Sequence, residues 1–277
     1  GWIEEVKDEE KFNDGRLHGS MFTIGTPSFR CRHRTIVNIP GVYAPYGKEL
    51  RSLLTCETGY KVVGADSAGN QFRGLCHYIG DPEFTNEVIN GDVHQRNADV
   101  LGISRPGAKT FIYAYLFGAG HAKLGEAISG KKSAKIGKEA DAKFKATLPG
   151  LKVLKDDLEH EFRLSQMKTG TGFIEGADGR RIMVGSEHQT LNYLLQTLEG
   201  ITCKAALVYA YNKIKENNLE AYPTLFYHDE VVFVAKESDA EAVKDICVEA
   251  FREAPKSVGV MCMDGDGQIG ESYADVH

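Results

Sequence analysis

Four side chains spaced by four residues, Arg105, Lys109, Tyr113 and Phe117, combine two cations with two aromatic rings. Steps of four turn an α-helix by about 40° each, so all four share one broad face. Arginine holds phosphate oxygens bidentately, lysine adds a point charge, and an aromatic ring can stack on a base. A nucleoside triphosphate has that layout, with phosphates at one end and a flat base at the other. The same spacing also describes an amphipathic helix with solvated cations and core aromatics. Ser104 can cap the start, Pro106 is tolerated in the first turn, and Gly118 and Gly120 end the helix.

Two aspartates form the second group. Asp66 closes a compact apolar run, Tyr60 to Ala65, that predicts a buried strand. Asp229 falls between two apolar β runs, Leu225 to Tyr227 and Val231 to Val234. Together these predict a hairpin with His228, Asp229 and Glu230 at its tip. Three ionisable residues are odd in a purely structural turn, where Asn-Gly or Gly would serve better. If the strands are neighbours, the carboxylates converge. Two acids facing a cationic helix suit a pair of Mg²⁺ ions, which such sites hold roughly 3.5–4 Å apart. Two aspartates alone also fit nucleases, phosphatases and structural pairs.

The elements that must position these groups follow from periodicity and breakers. Gly1 to Glu10 reads as an acidic opening segment, Gly15 to Arg34 as strand and loop, and Lys48 to Leu54 as a short helix. Helices are expected from Gly69 to Tyr78, from Asp92 as N-cap, and as one Lys-rich helix to about Thr147, broken by Pro149 and Gly150. Leu151 to Leu164 is another amphipathic helix. Gly170 to Val184 reads as two strands around Ala177-Asp178-Gly179. His188 to Lys215 is the longest helical pattern, with Leu191, Leu194, Leu195, Leu198 and Ile201 as its apolar stripe. His188, Asn192 and Gln196 share its other face, where amides can meet base edges or sugars in a minor groove, although the same spacing equally describes a solvated polar face. Ser238 with Glu241 predicts a capping box opening a helix to about Phe251. The tail is expected to be a final strand and loop.

At 277 residues the chain can bury a core as one large or two smaller domains. No apolar run is long enough to span a bilayer and no signal peptide opens the chain, so no membrane partner is expected. The chain starts at Gly1 rather than Met, which fits a processed chain or one piece of a longer polypeptide. The net charge of −6 announces no bulk nucleic-acid binder, yet Arg105 to Lys145 carries nine Lys/Arg against three acids. Arg30, Arg32 and Arg34 form a second small basic cluster. A basic sub-region on an acidic chain suits a groove that meets phosphates on one side. Lys131, Lys132, Lys135 and Lys138 read individually as a solvated helix face. Six scattered cysteines without a Cys-x-x-Cys pair argue against a zinc ribbon or disulfide framework and fit a reducing cytosol.

Taken together, the run Asp66-Ser-Ala-Gly-Asn-Gln-Phe-Arg73, the helix from Arg105 to Phe117-Gly118, and His228-Asp229-Glu230 resemble the three polymerase motifs of family A DNA polymerases. These are the bacterial polymerase I-like enzymes and phage replicases, and the likeness leans toward the phage enzymes. Gly91-Asp92-Val93-His94, Asp178-Gly179-Arg180-Arg181, Asn192 with Gln196, Asn38-Ile39-Pro40 and a terminal His277 support it in the same order. The resemblance covers essentially the whole chain. It implies an α+β right-hand polymerase fold, with an antiparallel-sheet palm, a helical fingers subdomain and no thumb. The palm would be residues 1–85 and 187–277, the fingers 86–186. It implies that Asp66 and Asp229, with the Ser67 carbonyl, bind two Mg²⁺, with Mn²⁺ as a substitute. It implies that Arg105, Lys109 and His94 hold the triphosphate of a dNTP and that Lys109 protonates the leaving pyrophosphate. Tyr113 would pack on sugar and base, and Glu230 would lie near the metals and primer end. Asn192, Gln196, His228 and, more weakly, Arg30 would contact primer-template DNA.

Two positions depart from the family pattern. Glu is usual where this chain has Gln71, and Tyr where it has Phe117; in relatives that pair forms the wall against a ribose 2′-OH. Gln71 keeps the bulk and loses the charge, while Phe117 lacks the hydroxyl. A lone carboxylate there would be costly, so the joint change is coherent. Ribose exclusion is expected to survive by shape, in weaker form. The reading is thus a template-directed DNA polymerase core, part of a longer or split enzyme, its thumb and exonuclease supplied by another polypeptide or by the rest of a longer chain, and cytoplasmic (in the host bacterial cytoplasm if a phage protein). A single-subunit RNA polymerase and a non-catalytic DNA-binding subunit are the alternatives.

Overall fold

Alternation and breakers along the chain set the elements seen in the computed structural model, which describes residues 14–36 and 38–276. The expectations for the acidic opening segment, residues 1–10, and for His277 lie outside the described residues. The chain divides into two compact units. The first comprises residues through Ala68, Thr202–Ala254, and those from Asp264 on; the second comprises Gly69–Ile201 and Pro255–Met263.

In the first unit, β1 (Ser20–Phe22) pairs antiparallel with β2 (Arg32–Arg34), and α1 (Gly47–Ser52) follows. The principal sheet has four strands in the order β6-β7-β3-β8, with β3 at Tyr60–Ser67, β6 at Ala221–Tyr227, β7 at Glu230–Lys236 and β8 at Gly265–Gly270. Every pairing among them is antiparallel. β3 is buried on both faces, which explains its nearly continuous apolar run. Val63 and Ala65 join Phe226, Val231 and Phe233 in one core. Val62 turns the other way, toward Val232, Tyr273 and Val276. The first core is covered by α10 (Ala240–Glu253), which buries Val243, Cys247, Ala250 and Phe251. Pro223 is tolerated because β6 is an edge strand, and the register slips beside it.

The second unit is mainly helical. It holds α2 (Asn70–Ile79), α3 (Pro82–Asn90), α4 (Val93–Leu101), α5 (Arg105–Leu116), α6 (His121–Ser129), α7 (Ala134–Thr147) and α8 (Pro149–Thr169). The hairpin of β4 (Phe173–Glu175) and β5 (Arg181–Met183) turns at Gly179, as the sequence predicts. The long helix α9 (Thr190–Glu216) gives its first half to this unit and its second half to the first one. Leu191, Leu194, Leu195 and Leu198 are buried in one, and Cys203, Ala206, Ala210 and Ile214 in the other.

Several local expectations need correction. The Lys-rich segment is two helices, because Gly130 at φ +72° closes α6 and Ser133 caps α7 anew. Its lysines at 131, 132, 135 and 138 are exposed, as expected of a solvated face. α7 ends at Thr147 as expected, and Pro149 opens α8 two residues before the expected start at Leu151, since the first turn needs no donor from it. The Ser238–Glu241 capping box does not form: Ser238 bonds to Asp239, whose carboxylate accepts from Glu220 N instead. His188 lies in a short 3₁₀ turn before α9 and does not share that helix's face.

Candidate active site

β3 and β7 are hydrogen-bonded neighbours, with Asp66 opposite Glu230. Ser67 N donates to the Asp229 carbonyl at 2.9 Å, so the two aspartates sit side by side at the same end of the sheet. Asp66 is exposed, Ser67 is buried and Asp229 is half-buried. The hairpin tip is His228-Asp229 alone. Glu230 has already entered β7, 3% exposed, where Tyr273 Oη donates to its Oε2 at 2.7 Å. The expectation of three ionisable residues at the tip is corrected accordingly.

His228 holds φ +57°, a left-handed conformation. The ring meets Tyr227 at 4.5 Å and His33 at 5.7 Å between centroids. Burial, then the charge of Arg30, then His33, push its pKa down to about 4. Arg30 and His228 thus share one surrounding, although 198 positions separate them.

In the second unit the predicted helix face is real. Ser104 Oγ accepts from Gly107 N and opens α5. Arg105 Nε donates to Asp92 Oδ2 at 2.8 Å, and Asp92 also caps α4 by accepting from Gln95 N. The Arg105 hydrogen bond is the foremost cause holding the Asp92 carboxyl below its usual range. Lys109 is exposed. His94 stands beside both cations: burial first, then Arg105 and Lys109, lower its pKa. Its Nδ1 is buried without a hydrogen-bond partner. Phe72 packs edge-on against His94 and Tyr113, and Tyr113 stacks toward Phe117 at 6.3 Å. Phe117 is the C-cap of α5, 44% exposed.

Gln71 is buried on α2 and donates through Nε2 to Glu199 Oε2 at 2.7 Å. Glu199 was not among the residues picked from sequence. The signal was there: Asn192, Gln196 and Glu199 continue one polar stripe at helical spacing. Asn192 and Gln196 hold each other, Gln196 Nε2 donating to Asn192 Oδ1 at 2.7 Å.

Among the described residues no group of three or more His, Cys, Asp or Glu side chains could hold a metal ion. Two carboxylates nonetheless suit Mg²⁺, which commonly takes one or two carboxylates and completes its shell with water and substrate phosphate. The donor set here is hard oxygen, which fits that ion.

The fold matches that of a known polymerase domain. It superposes on the POL domain of Pol1 from M. smegmatis, solved in complex with DNA primer-template and dNTP, at a TM-score of 0.82 and 18% identity, over 99% of this chain and 50% of that one. The family model for DNA polymerase family A matches residues 2–275, and the chain belongs to that family. It is 30% identical to the DNA-directed DNA polymerase of Enterobacteria phage T3 and 30% identical to that of Escherichia phage T7, each across 100% of this chain. The DNA polymerase I of Pseudomonas aeruginosa is 24% identical across 100% of the chain. The chain spans 42% of the length of the two phage relatives.

Proposed function

We propose that the chain is the polymerase core of a template-directed DNA polymerase. The observation that carries this is the β3–β7 pairing, which sets Asp66 beside Asp229 in a chain of this family. The relatives named DNA-directed DNA polymerase, and a neighbour of like fold bound to primer-template and dNTP, support it. The primer 3′-OH attacks the α-phosphorus of a dNTP and the bond to the β-phosphate breaks, releasing pyrophosphate. Asp66, Asp229 and the Ser67 carbonyl would hold two Mg²⁺, which when bound stabilise charge on the attacking and leaving oxygens. Arg105, Lys109 and His94 bind the triphosphate, and Lys109 donates a proton to the departing pyrophosphate. Tyr113 packs on sugar and base. Asn192, Gln196, His228 and Arg30 contact primer-template. Most of the rate gain comes from positioning and charge stabilisation.

The proposed palm is residues 1–85 and 187–277 and the fingers 86–186, limits that rest on motif order rather than on packing. A thumb and exonuclease, from another polypeptide or from the rest of a longer chain, would complete the enzyme, in the host bacterial cytoplasm if the chain is a phage protein. No helix among the described residues is long and apolar enough to cross a membrane.

Primer extension on a primed DNA template, with Mg²⁺ and dNTPs, tests the reading. The wild-type chain extends, and Asp229→Ala loses at least about a hundredfold in rate. Extension restored only by an added thumb-exonuclease polypeptide makes the chain half of a split enzyme. DNA binding without extension under either condition overturns catalysis and leaves a binding subunit. Preference for rNTPs would make it an RNA polymerase.

A further inference from the structure

Gln71 is 6% exposed and Glu199 is 2% exposed, and they meet across the contact of α2 with α9. That contact is tight and so fixes their register. A Cβ at Gly74, one turn beyond Gln71, would stand 3.1 Å from Leu198 and 3.5 Å from Leu195. A buried acid needs hydrogen-bond donors around it, and an amide is a neutral one. Because the amide NH₂ faces Glu199, its carbonyl Oε1 is turned away from that acid. The bond therefore sets both the rotamer and the polarity of Gln71. Phe117 has no polar atom with which to do so.

We propose that Glu199 is a positioning residue for sugar selection: by fixing the Gln71 amide, it determines how strongly the site rejects a ribose 2′-OH. The inference rests on the polymerase reading above and deepens it. A gate that works by shape is only as selective as its side chain is still. A glutamine with three rotatable bonds, released from its acceptor, samples rotamers that open space beside the sugar. Glu199 needs no contact with the nucleotide to exert this effect.

The test is single-nucleotide insertion by the full chain, comparing kcat/KM for dNTP and rNTP in the wild type, Glu199→Gln, Glu199→Ala and the exchanged double variant Gln71→Glu with Glu199→Gln. Glu199→Gln keeps the volume and fold but lets the facing amides pair in either orientation. Both single variants at 199 lower the dNTP/rNTP ratio by about tenfold, with a smaller loss in dNTP insertion itself. The exchanged double variant keeps one amide and one acid across the same contact and recovers the ratio to within about threefold of wild type. A ratio unchanged in Glu199→Gln, or lowered and not recovered on exchange, overturns the role of Glu199. Absence of dNTP insertion by the wild type, even with a thumb-exonuclease polypeptide added, overturns the polymerase reading as well. A thermal midpoint that falls while the ratio holds reduces Glu199 to a packing residue and also overturns the proposal.

Discussion

His94 is half-buried, its buried Nδ1 lacks a partner, and it faces two cations, so in the free protein its neutral form is favoured. On the proposed role of His94, a triphosphate brings negative charge to the same place and reverses that preference. Binding is then linked to proton uptake, and dNTP affinity rises as pH falls through the window between the lowered free pKa and the raised bound one. Calorimetry in two buffers of different ionisation enthalpy reads the protons directly. His94→Gln removes this uptake, and an unchanged proton count in that variant would sink the assignment. Arg105 now spends its charge on Asp92 in an exposed pair, 50% and 46% accessible, of the kind worth about 0–1 kcal/mol. A phosphate can displace that partner at little cost. On the sheet, Tyr273 donates to the buried Glu230 while the Arg51 guanidinium lies 4.6 Å from its ring centroid. Tyr273→Phe withdraws that donor and costs about 1–3 kcal/mol, read as a lowered urea midpoint.

Helices α6 and α7 approach through two glycines. A Cβ at Gly125 would fall 1.9 Å from Ser133 O, and one at Gly137 would fall 1.8 Å from His121 O. Gly137→Ala therefore forces the helices apart and costs about 1–3 kcal/mol, whereas Lys138→Ala on the solvent face stays within about 0.5 kcal/mol. Thermal melts of the two variants separate close packing from helix propensity, and equal melts would refute the contact. Elements with strong periodicity were legible in advance: the β3 run, the Ser104 and Asp92 caps, the β6–β7 hairpin and the long α9 stripe. Local competition hid the others. The Ser238 hydroxyl donates to Asp239, so the capping box never closes, and Gly130 splits a helix that its lysines alone would continue.

Across the whole molecule the two units are interwoven rather than strung in series. Val260 and Met263 come from the short stretch Pro255–Met263, yet they complete the core around Leu198 in the second unit. Met263→Ala in the full chain costs about 2–5 kcal/mol. It speeds amide exchange in the Leu194–Ile201 half of α9 while the half beyond Thr202 keeps its protection. Uniform acceleration along α9 would refute that division. The interweaving also explains what the sequence could not disclose. Asp66 and Asp229 carried recognisable motifs, so their meeting could be expected. Gln71 and Glu199 meet with no motif around Glu199, and only the packing of α2 on α9 reveals the pair.

The central strand also has a schedule. Both neighbours of β3 come late: β7 begins 163 residues after its last residue, and β8 later still. At roughly 5–20 residues per second, a ribosome needs about ten to thirty seconds to deliver β7. Through that interval Val62 to Ala65 wait with both edges unpaired, an open template for strands of other chains. During synthesis the carboxylate at residue 66 is thus the first of the pair to be made, and it gains its neighbour only 163 residues later.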